Sequence, residues 1–427
     1  MPSRHILTFL APAWGHALPY MHLTTRMLAA DPDLVVTIVQ HNIVVPKMLE
    51  ELKTCSYDTS RLQIAGVGEK EIQFTPMIVG TMISQLTAGW LEILADAVAE
   101  KGNWPKPKTL HMDFFGGGLV VEESRAMIGP EGKILVWFSS SVTSGVDHFS
   151  EYNFTKIAQE ICADESRRAG RTDDEIRGDV LCAMNGSDKL DGRIIEIIGG
   201  LKIYDHEHQA QGAGPPRVLA PILISANKLG RSLFFPVETP NLVEAMIDVL
   251  LQLETVIPFV FVLAGKMASL PQETIDRIHA SGRGVACSHW VDQKAVLKSG
   301  AVGWFLTHGG YNSLTEALSQ NIPLIFWPIG AEQAINAAVL STGPRPIGIE
   351  LFQIRAGTQL GPSLRPEAPT ITGTVEDAKI EFQKTFNDLK GSRGHILTQN
   401  AIQVGKLWRE ERMNGDLERE IARLTRF

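Results

Sequence analysis

The sequence predicts an α/β protein of two domains, each a parallel β-sheet covered by helices. Three observations lead there. Short β-branched or aromatic runs alternate with longer helical patterns through most of the chain, the order that builds parallel sheets. The alternation breaks once, at residues 205–217, where DHEHQAQGAGPPR is polar and rich in Gly and Pro, as a linker is. The 427 residues also exceed what a single core ordinarily serves.

The elements follow in order. Residues 5–11 (HILTFLA) are an apolar strand closed by Pro12, 18–30 have helical spacing, and 34–40 (LVVTIVQ) are rich in β-branched residues. The long periodic segment 82–100 and the run 133–138 (KILVWF) complete what is legible before the linker. The first domain is therefore set at residues 1–209 and the second at 210–394. In the second, strands at 220–225, 258–263, 284–287, 302–307 and 323–327 alternate with helices at 241–252, 272–280 and 313–320. The strand at 302–307 is a short apolar run of the buried type. Residues 395–427 have a helical, highly charged pattern.

Composition narrows the function. The chain is 44% apolar and 21% charged, an ordinary globular balance. Its formal charge of −8 argues against a general nucleic-acid binder. Cys55, Cys162, Cys182 and Cys287 are scattered without metal-ligand spacing, and so few cysteines fit a reducing compartment. The apolar run at 6–11 is too short for a secretory core and reads as the first strand. No run approaches the roughly 20 apolar residues of a membrane span. The expectation is a cytoplasmic monomer with no membrane insertion.

Residues 290–333 are the most informative part: WVDQKAVLKSGAVGWFLTHGGYNSLTEALSQNIPLIFWPIGAEQ. The strand 302–307 leads into a Gly-rich turn and a helix opening near Ser313. Open α/β sheets bind ligands at the carboxyl ends of strands, and a helix N-terminus favours phosphate. Gly309 and Gly310 let the backbone approach closely, and His308, Asn312 and Ser313 add donors. Together with a stacking Trp290 and the carboxylate of Glu316, the spacing suits a nucleoside diphosphate sugar. Each part also has a plainer reading. Residues 313–316 form S-x-x-E, a capping box that needs no ligand. A lone Trp is commonly core, and a Gly-Gly turn is commonly only a turn.

The same segment resembles the signature box of the family 1 UDP-glycosyltransferases, plant and fungal enzymes that glycosylate small molecules. That box begins with Trp, has Gln at its fourth place and an H-x-G-x-N-S-x-x-E core, and ends in an acid followed by Gln. Trp290, Gln293, His308, Gly310, Asn312, Ser313, Glu316, Glu332 and Gln333 keep that register. The resemblance implies a GT-B fold, with two Rossmann-like domains facing a central cleft. The first would bind the acceptor and the second the UDP-sugar, with the C-terminal helices crossing back to the first.

The resemblance also implies roles. Trp290 stacks on uracil, and Gln293 sits beside base and ribose. Glu316 accepts from the ribose hydroxyls. His308, Asn312 and Ser313 contact phosphate, and Glu332 and Gln333 bind sugar hydroxyls. Val291, Gly310 and Tyr311 complete the donor set. Glu332 and Tyr311 depart from the usual Asp and Trp, so the donor sugar is less defined than its class. Gln333 favours UDP-glucose, and UDP-xylose is the alternative. A further departure is the text ISANKLGRSLFFP after the strand at 220–225, where relatives carry a Gly/Ser turn. Ser225, Gly230, Arg231 and Ser232 are candidates for that duty.

Inverting transfer needs a base on the acceptor hydroxyl. His16 follows the first strand and precedes the helix expected near Leu18. The resemblance makes it the catalytic base, in a P-x-x-x-H-x-x-P context matched by Pro12, His16 and Pro19. His22 is the competitor within the helix. Asp113 resembles the orienting carboxylate, although a helix N-cap is its plainer role. Trp14, Phe114 and Phe138 are the acceptor-pocket candidates, with Phe115, Met77 and Ile83, all of which also fit core positions. The scheme requires no metal and no cofactor, the UDP-sugar being a co-substrate. Asp31-Pro32-Asp33 matches D-x-D but reads as a turn. PAWGHALP is no G-x-G-x-x-G, which weakens a nicotinamide-dependent reading. A UDP-sugar-binding protein that has lost its chemistry is the remaining alternative.

Overall fold

The computed structural model describes residues 3–71, 78–137, 162–168, 170, 172–173, 176, 222–225, 242–263, 270–289, 291–329, 333–342, 345–355, 360–362, 368–413 and 416–426. The chain divides into two units, Met1–Ser140 with Glu410–Phe427, and Ser141–Arg409. The linker at 205–217 lies outside the described residues.

In the first unit, β1 (Arg4–Phe9), β2 (Leu34–His41), β3 (Leu62–Val67), β4 (Thr109–Asp113) and β5 (Lys133–Trp137) form a parallel sheet. Its order is β3-β2-β1-β4-β5. The chain winds outward from β1 on one side and resumes at β4 on the other. The carboxyl ends of β1 and β4 therefore flank the switch point, where open sheets hold ligands. Phe9 pairs with Met112, which brings the exits of the two strands level.

The helices of this unit include α1 (Trp14–Ala30), α2 (Val45–Leu52), α3 (Ile78–Val98), α4 (Phe114–Gly117) and α5 (Val121–Ile128). α1 starts four residues ahead of the expected Leu18. Ala13, in extended conformation, is its N-cap, and Pro19 lies inside the helix. The tight turn closed by Ala13 N–H donating to Ala11 O at 2.7 Å starts the helix that early. Arg61 closes the other end, donating to the carbonyls of Leu28 and Asp31 at 2.7 Å each, a cation where the helix dipole favours one. The core is built from Leu7, Phe9, Val39, Leu86, Trp90 and Leu110. Trp90 meets Phe9 edge-on and donates to Ser124 Oγ at 2.8 Å.

Beneath the switch point lies a buried polar chain. Thr8 Oγ1 stands 2.8 Å from the Tyr20 hydroxyl, which stands 2.6 Å from His111 Nδ1. Burial lowers the His111 pKa to about 4 and raises that of Tyr20. Neutral His111 thus shares a hydrogen bond with the Tyr20 hydroxyl at Nδ1. The unfolded chain binds a proton at His111 below its ordinary value of 6.5, while the folded protein resists until about pH 4. Stability carried by His111 is therefore present above pH 6.5 and lost as pH falls through that window. The expected loss is about 3 kcal/mol. Urea midpoints of the wild type and His111→Gln between pH 7 and pH 4 check this, and the variant should show the flatter slope.

In the second unit, β6 (Ile222–Ser225), β7 (Phe259–Val262), β8 (Gly284–Cys287), β9 (Trp304–Thr307), β10 (Leu324–Phe326) and β11 (Gly348–Glu350) are likewise parallel. The order β11-β10-β9-β6-β7-β8 puts the switch point between β6 and β9. The helices used below are α6 (Leu242–Gln252), α7 (Gln272–Ala280), α8 (Gln293–Lys298), α9 (Tyr311–Ser319), α10 (Gln333–Thr342) and α11 (Val375–Asp388). Two cores flank the sheet. One includes Leu250, Phe261, Trp327, Phe382 and Phe386, and the other Phe305, Leu314, Leu324 and Phe326. The C-terminal pattern at 395–427 becomes α12 (Ser392–Met413) and α13 (Asp416–Arg426). Within the first unit, α13 packs on α1. Among the described residues, no helix is long and apolar enough to cross a membrane.

Candidate functional site

The first unit brings His16 and Asp113 together. His16 is the third residue of α1, and Asp113 ends β4. His16 Nδ1 lies 2.8 Å from Asp113 Oδ2, with side chains 21% and 1% exposed. The Ala11 N–H donates to the same Oδ2 at 3.2 Å. A buried carboxylate is an acceptor, so Nδ1 carries the proton and Nε2 is the basic nitrogen. The carboxylate is fixed from the turn after β1 and the imidazole from α1, which is the arrangement an oriented general base needs. Gly116, at φ +93°, lets the chain turn directly after Asp113 with its Cα near the Phe9 ring.

The competitor is engaged elsewhere. His22 Nε2 stands 3.1 Å from Glu51 Oε1, and Cys55 Sγ stands 3.7 Å from its Nδ1. The D-x-D segment is a turn between α1 and β2, at the amino edge of the sheet. Asp31 Oδ1 accepts the Asp33 N–H at 2.9 Å, and Asp31 pairs with Arg4. Among the described residues, no group of three or more His, Cys, Asp or Glu could hold a metal. Trp14 is half-buried, with Lys47 Nζ 4.2 Å from its ring centroid. Phe114 opens α4, and Ile83 lies near Gly116. Phe138 and Met77 lie outside the described residues.

In the second unit the Gly-rich turn follows β9 at the switch point. Gly309 has φ +85°, a left-handed conformation that suits glycine. A Cβ on Gly310 would collide with the His308 imidazole. Gly310 is the N-cap of α9, with no side-chain cap bond. The helix thus begins at Tyr311, two residues before the expected Ser313. That removes the capping-box reading, because Ser313 and Glu316 stand inside the helix. Glu316 Oε2 instead accepts from Gln293 Nε2 at 2.7 Å, and Ser313 Oγ is 3.5 Å from the same nitrogen. Asp292 holds that Gln in place by capping α8, accepting the Ala295 N–H at 3.1 Å. A carboxylate, an amide and a hydroxyl thus converge beside a helix N-terminus. Burial pushes the Tyr311 phenol up, so it stays protonated. Val291 packs against the core of β9 and β10.

Gln333 opens α10 and its Oε1 accepts the Ile329 N–H at 3.0 Å. One residue was missed by the sequence reading. Asn336, fully buried on α10, donates from Nδ2 to the Gly309 carbonyl at 2.9 Å. Its only local signal is a polar residue in the apolar run AINAAVL. Trp290, Glu332 and residues 226–232 lie outside the described residues, and Ser225 ends β6.

Residues 262–352 match the family model described as UDP-glucoronosyl and UDP-glucosyl transferase. The UDP-glycosyltransferase eriJ of Hericium erinaceus is 32% identical over 188 residues, 42% of this chain and 36% of that protein. A hydroquinone glucosyltransferase of Rauvolfia serpentina is 30% identical over 154 residues, 33% of this chain and 29% of its own. The matched stretch thus spans about a third of these relatives' length. Two solved structures show the same fold along the whole chain. One is a UDP-glucose: anthocyanidin 3-O-glucosyltransferase in complex with UDP, with TM-score 0.63 at 17% identity over 100% of this chain and 99% of that one. The other is Medicago truncatula UGT71G1 complexed with UDP-glucose, with TM-score 0.62 at 15% identity over 99% and 98%. Residues 262–352 thus resemble the UDP-glucoronosyl and UDP-glucosyl transferase family, and the fold is that of the solved GT-B UDP-glycosyltransferases.

Proposed function

We propose that the protein transfers a sugar, glucose in the first instance, from a uridine diphosphate sugar to a hydroxyl of a small lipophilic acceptor. The observation that carries this reading is the His16–Asp113 pair at 2.8 Å at a sheet switch point, in a chain whose other sheet bears the family segment. His16 Nε2 takes the acceptor proton as the hydroxyl oxygen attacks the anomeric carbon. The bond from that carbon to the UDP oxygen breaks, UDP leaves with the electron pair, and the configuration inverts. Asp113 holds the tautomer and stabilises the imidazolium. The helix start at Tyr311 and the Gly309–Gly310 turn stabilise the charge that develops on the departing diphosphate, so the scheme needs no metal.

The same reading makes residues 1–209 the acceptor domain and 210–394 the donor domain of a cytoplasmic monomer. Trp290, Gln293 and Glu316 hold uridine, His308, Asn312 and Ser313 the phosphates, and Glu332 and Gln333 the sugar. Trp14, Phe114 and Phe138 are the acceptor-binding residues of this reading. The hydroquinone glucosyltransferase among the relatives supports glucose as the donor sugar and a phenolic hydroxyl as the acceptor.

The test is a product screen by mass spectrometry. Purified protein is offered UDP-glucose or UDP-xylose with a panel of phenolic and terpenoid alcohols. A hexose added to at least one acceptor is the expected result. A pentose product corrects the donor. UDP binding with no transfer from either donor, across the panel, favours a binding protein that has lost its chemistry.

A further inference from the structure

The Asn336–Gly309 bond has a consequence for the atom next to it. The Gly309 carbonyl and the Gly310 N–H belong to one trans peptide, so they point in opposite directions. Asn336 Nδ2 grips the carbonyl at 2.9 Å from a fully buried position. The Gly310 N–H is thereby aimed away from α10. Gly310 is itself buried, and among the described residues no acceptor takes its N–H. A buried backbone donor without a partner is uncommon and costly, and this one stands at the start of α9, where an anion is favoured.

Other contacts stiffen the same turn. The Gly309 N–H donates to Thr307 Oγ1 at 3.3 Å. A Cβ on Gly309 would lie 3.2 Å from the Gln333 carbonyl oxygen. Gln333 Oε1 in turn takes the Ile329 N–H at 3.0 Å. A peptide next to a glycine at positive φ is otherwise free to flip, since glycine populates both signs of φ about equally. Asn336 removes that freedom. It joins the turn after β9 to the helix that carries Gln333.

We propose that Asn336 is a positioning residue for the donor: it locks the Gly309–Gly310 peptide so that the Gly310 N–H is presented to the diphosphate. This rests on the UDP-sugar reading of the site. Asn336 does not touch the ligand; it acts through the peptide it holds. A mispointed carbonyl would place a partial negative charge against the phosphates, so the effect falls on phosphate and not on the nucleoside.

The experiment compares UDP and uridine binding by the full chain in wild type and Asn336→Asp, which keeps the shape but cannot donate. UDP is followed by titration calorimetry and uridine by saturation-transfer NMR. UDP affinity should fall about tenfold, the scale of one hydrogen bond, with uridine binding unchanged. If Asn336→Asp does not fold, Asn336→Ser is read the same way, its hydroxyl being too short to reach the carbonyl. Unchanged UDP affinity overturns the inference. Equal weakening of UDP and uridine also overturns it, because that is the mark of general damage. A wild-type protein that binds no UDP sinks the reading of the site itself, and shows it before any variant is compared.

Discussion

Replacing His16 with Ala should lower transfer turnover about 1,000-fold, within the range for loss of a general base, while UDP affinity is unchanged. The two readouts separate because His16 and the residues proposed to hold uridine are built in different units of the chain. The expected size rests on geometry. The 2.8 Å contact to a carboxylate that is 1% exposed fixes both tautomer and ring orientation, leaving little redundancy. His22 cannot substitute easily, since Glu51 and Cys55 meet its two ring nitrogens. Turnover in His16→Ala close to wild type, once an acceptor is known, would remove the residue from the mechanism. Asp113→Asn is the companion variant. An amide there can present its N–H₂ to Nδ1 and so favour the wrong tautomer, and a drop of similar direction is expected.

Glu316→Ala should weaken UDP binding about 10- to 100-fold, the loss of one or two hydrogen bonds to a charged group. The melting temperature should barely move, because the cap of α9 is Gly310 and Glu316 makes no capping box. Calorimetric titration with UDP and a thermal scan check both halves. A lowered melting temperature with unchanged affinity would defeat the assignment. Because Gln293 Nε2 is 2.7 Å from Glu316 Oε2, the double variant Gln293→Ala/Glu316→Ala should lose less than the sum of the single losses.

Much of this fold is legible residue by residue, and the exceptions share physical causes. Strands such as Leu34–His41 and Trp304–Thr307 stand at or near their expected bounds because buried parallel strands are continuous apolar runs. β3 and β4 were not marked as strands, for different reasons. β3 is a half-exposed edge with a Gly, so its pattern is weak. β4 buries His111 and Asp113, polar residues whose partners come from α1 and the turn before it. β11 is only three residues long, below what a periodic pattern can mark.

The start of α9 was misjudged because S-x-x-E is a strong local signal, while the true cap has no side chain. Pro19 misled in the same way, since Pro favours a first turn and here sits inside the helix. Asn336 was invisible for a related reason. A buried amide is explained by its acceptor, and Gly309 is far away in the sequence. The His16–Asp113 pairing was accessible only through family resemblance, and the structure places the two side chains 2.8 Å apart.

The helix that carries His16 is covered on one side by α13, which arrives from the far end of the chain. The first unit is therefore written in two separate stretches of sequence. Swapping amino-terminal halves between relatives to exchange the proposed acceptor domain would leave each chimera with a foreign helix against the one that carries His16. Two splice points are needed instead of one, so that the tail travels with the segment it packs against.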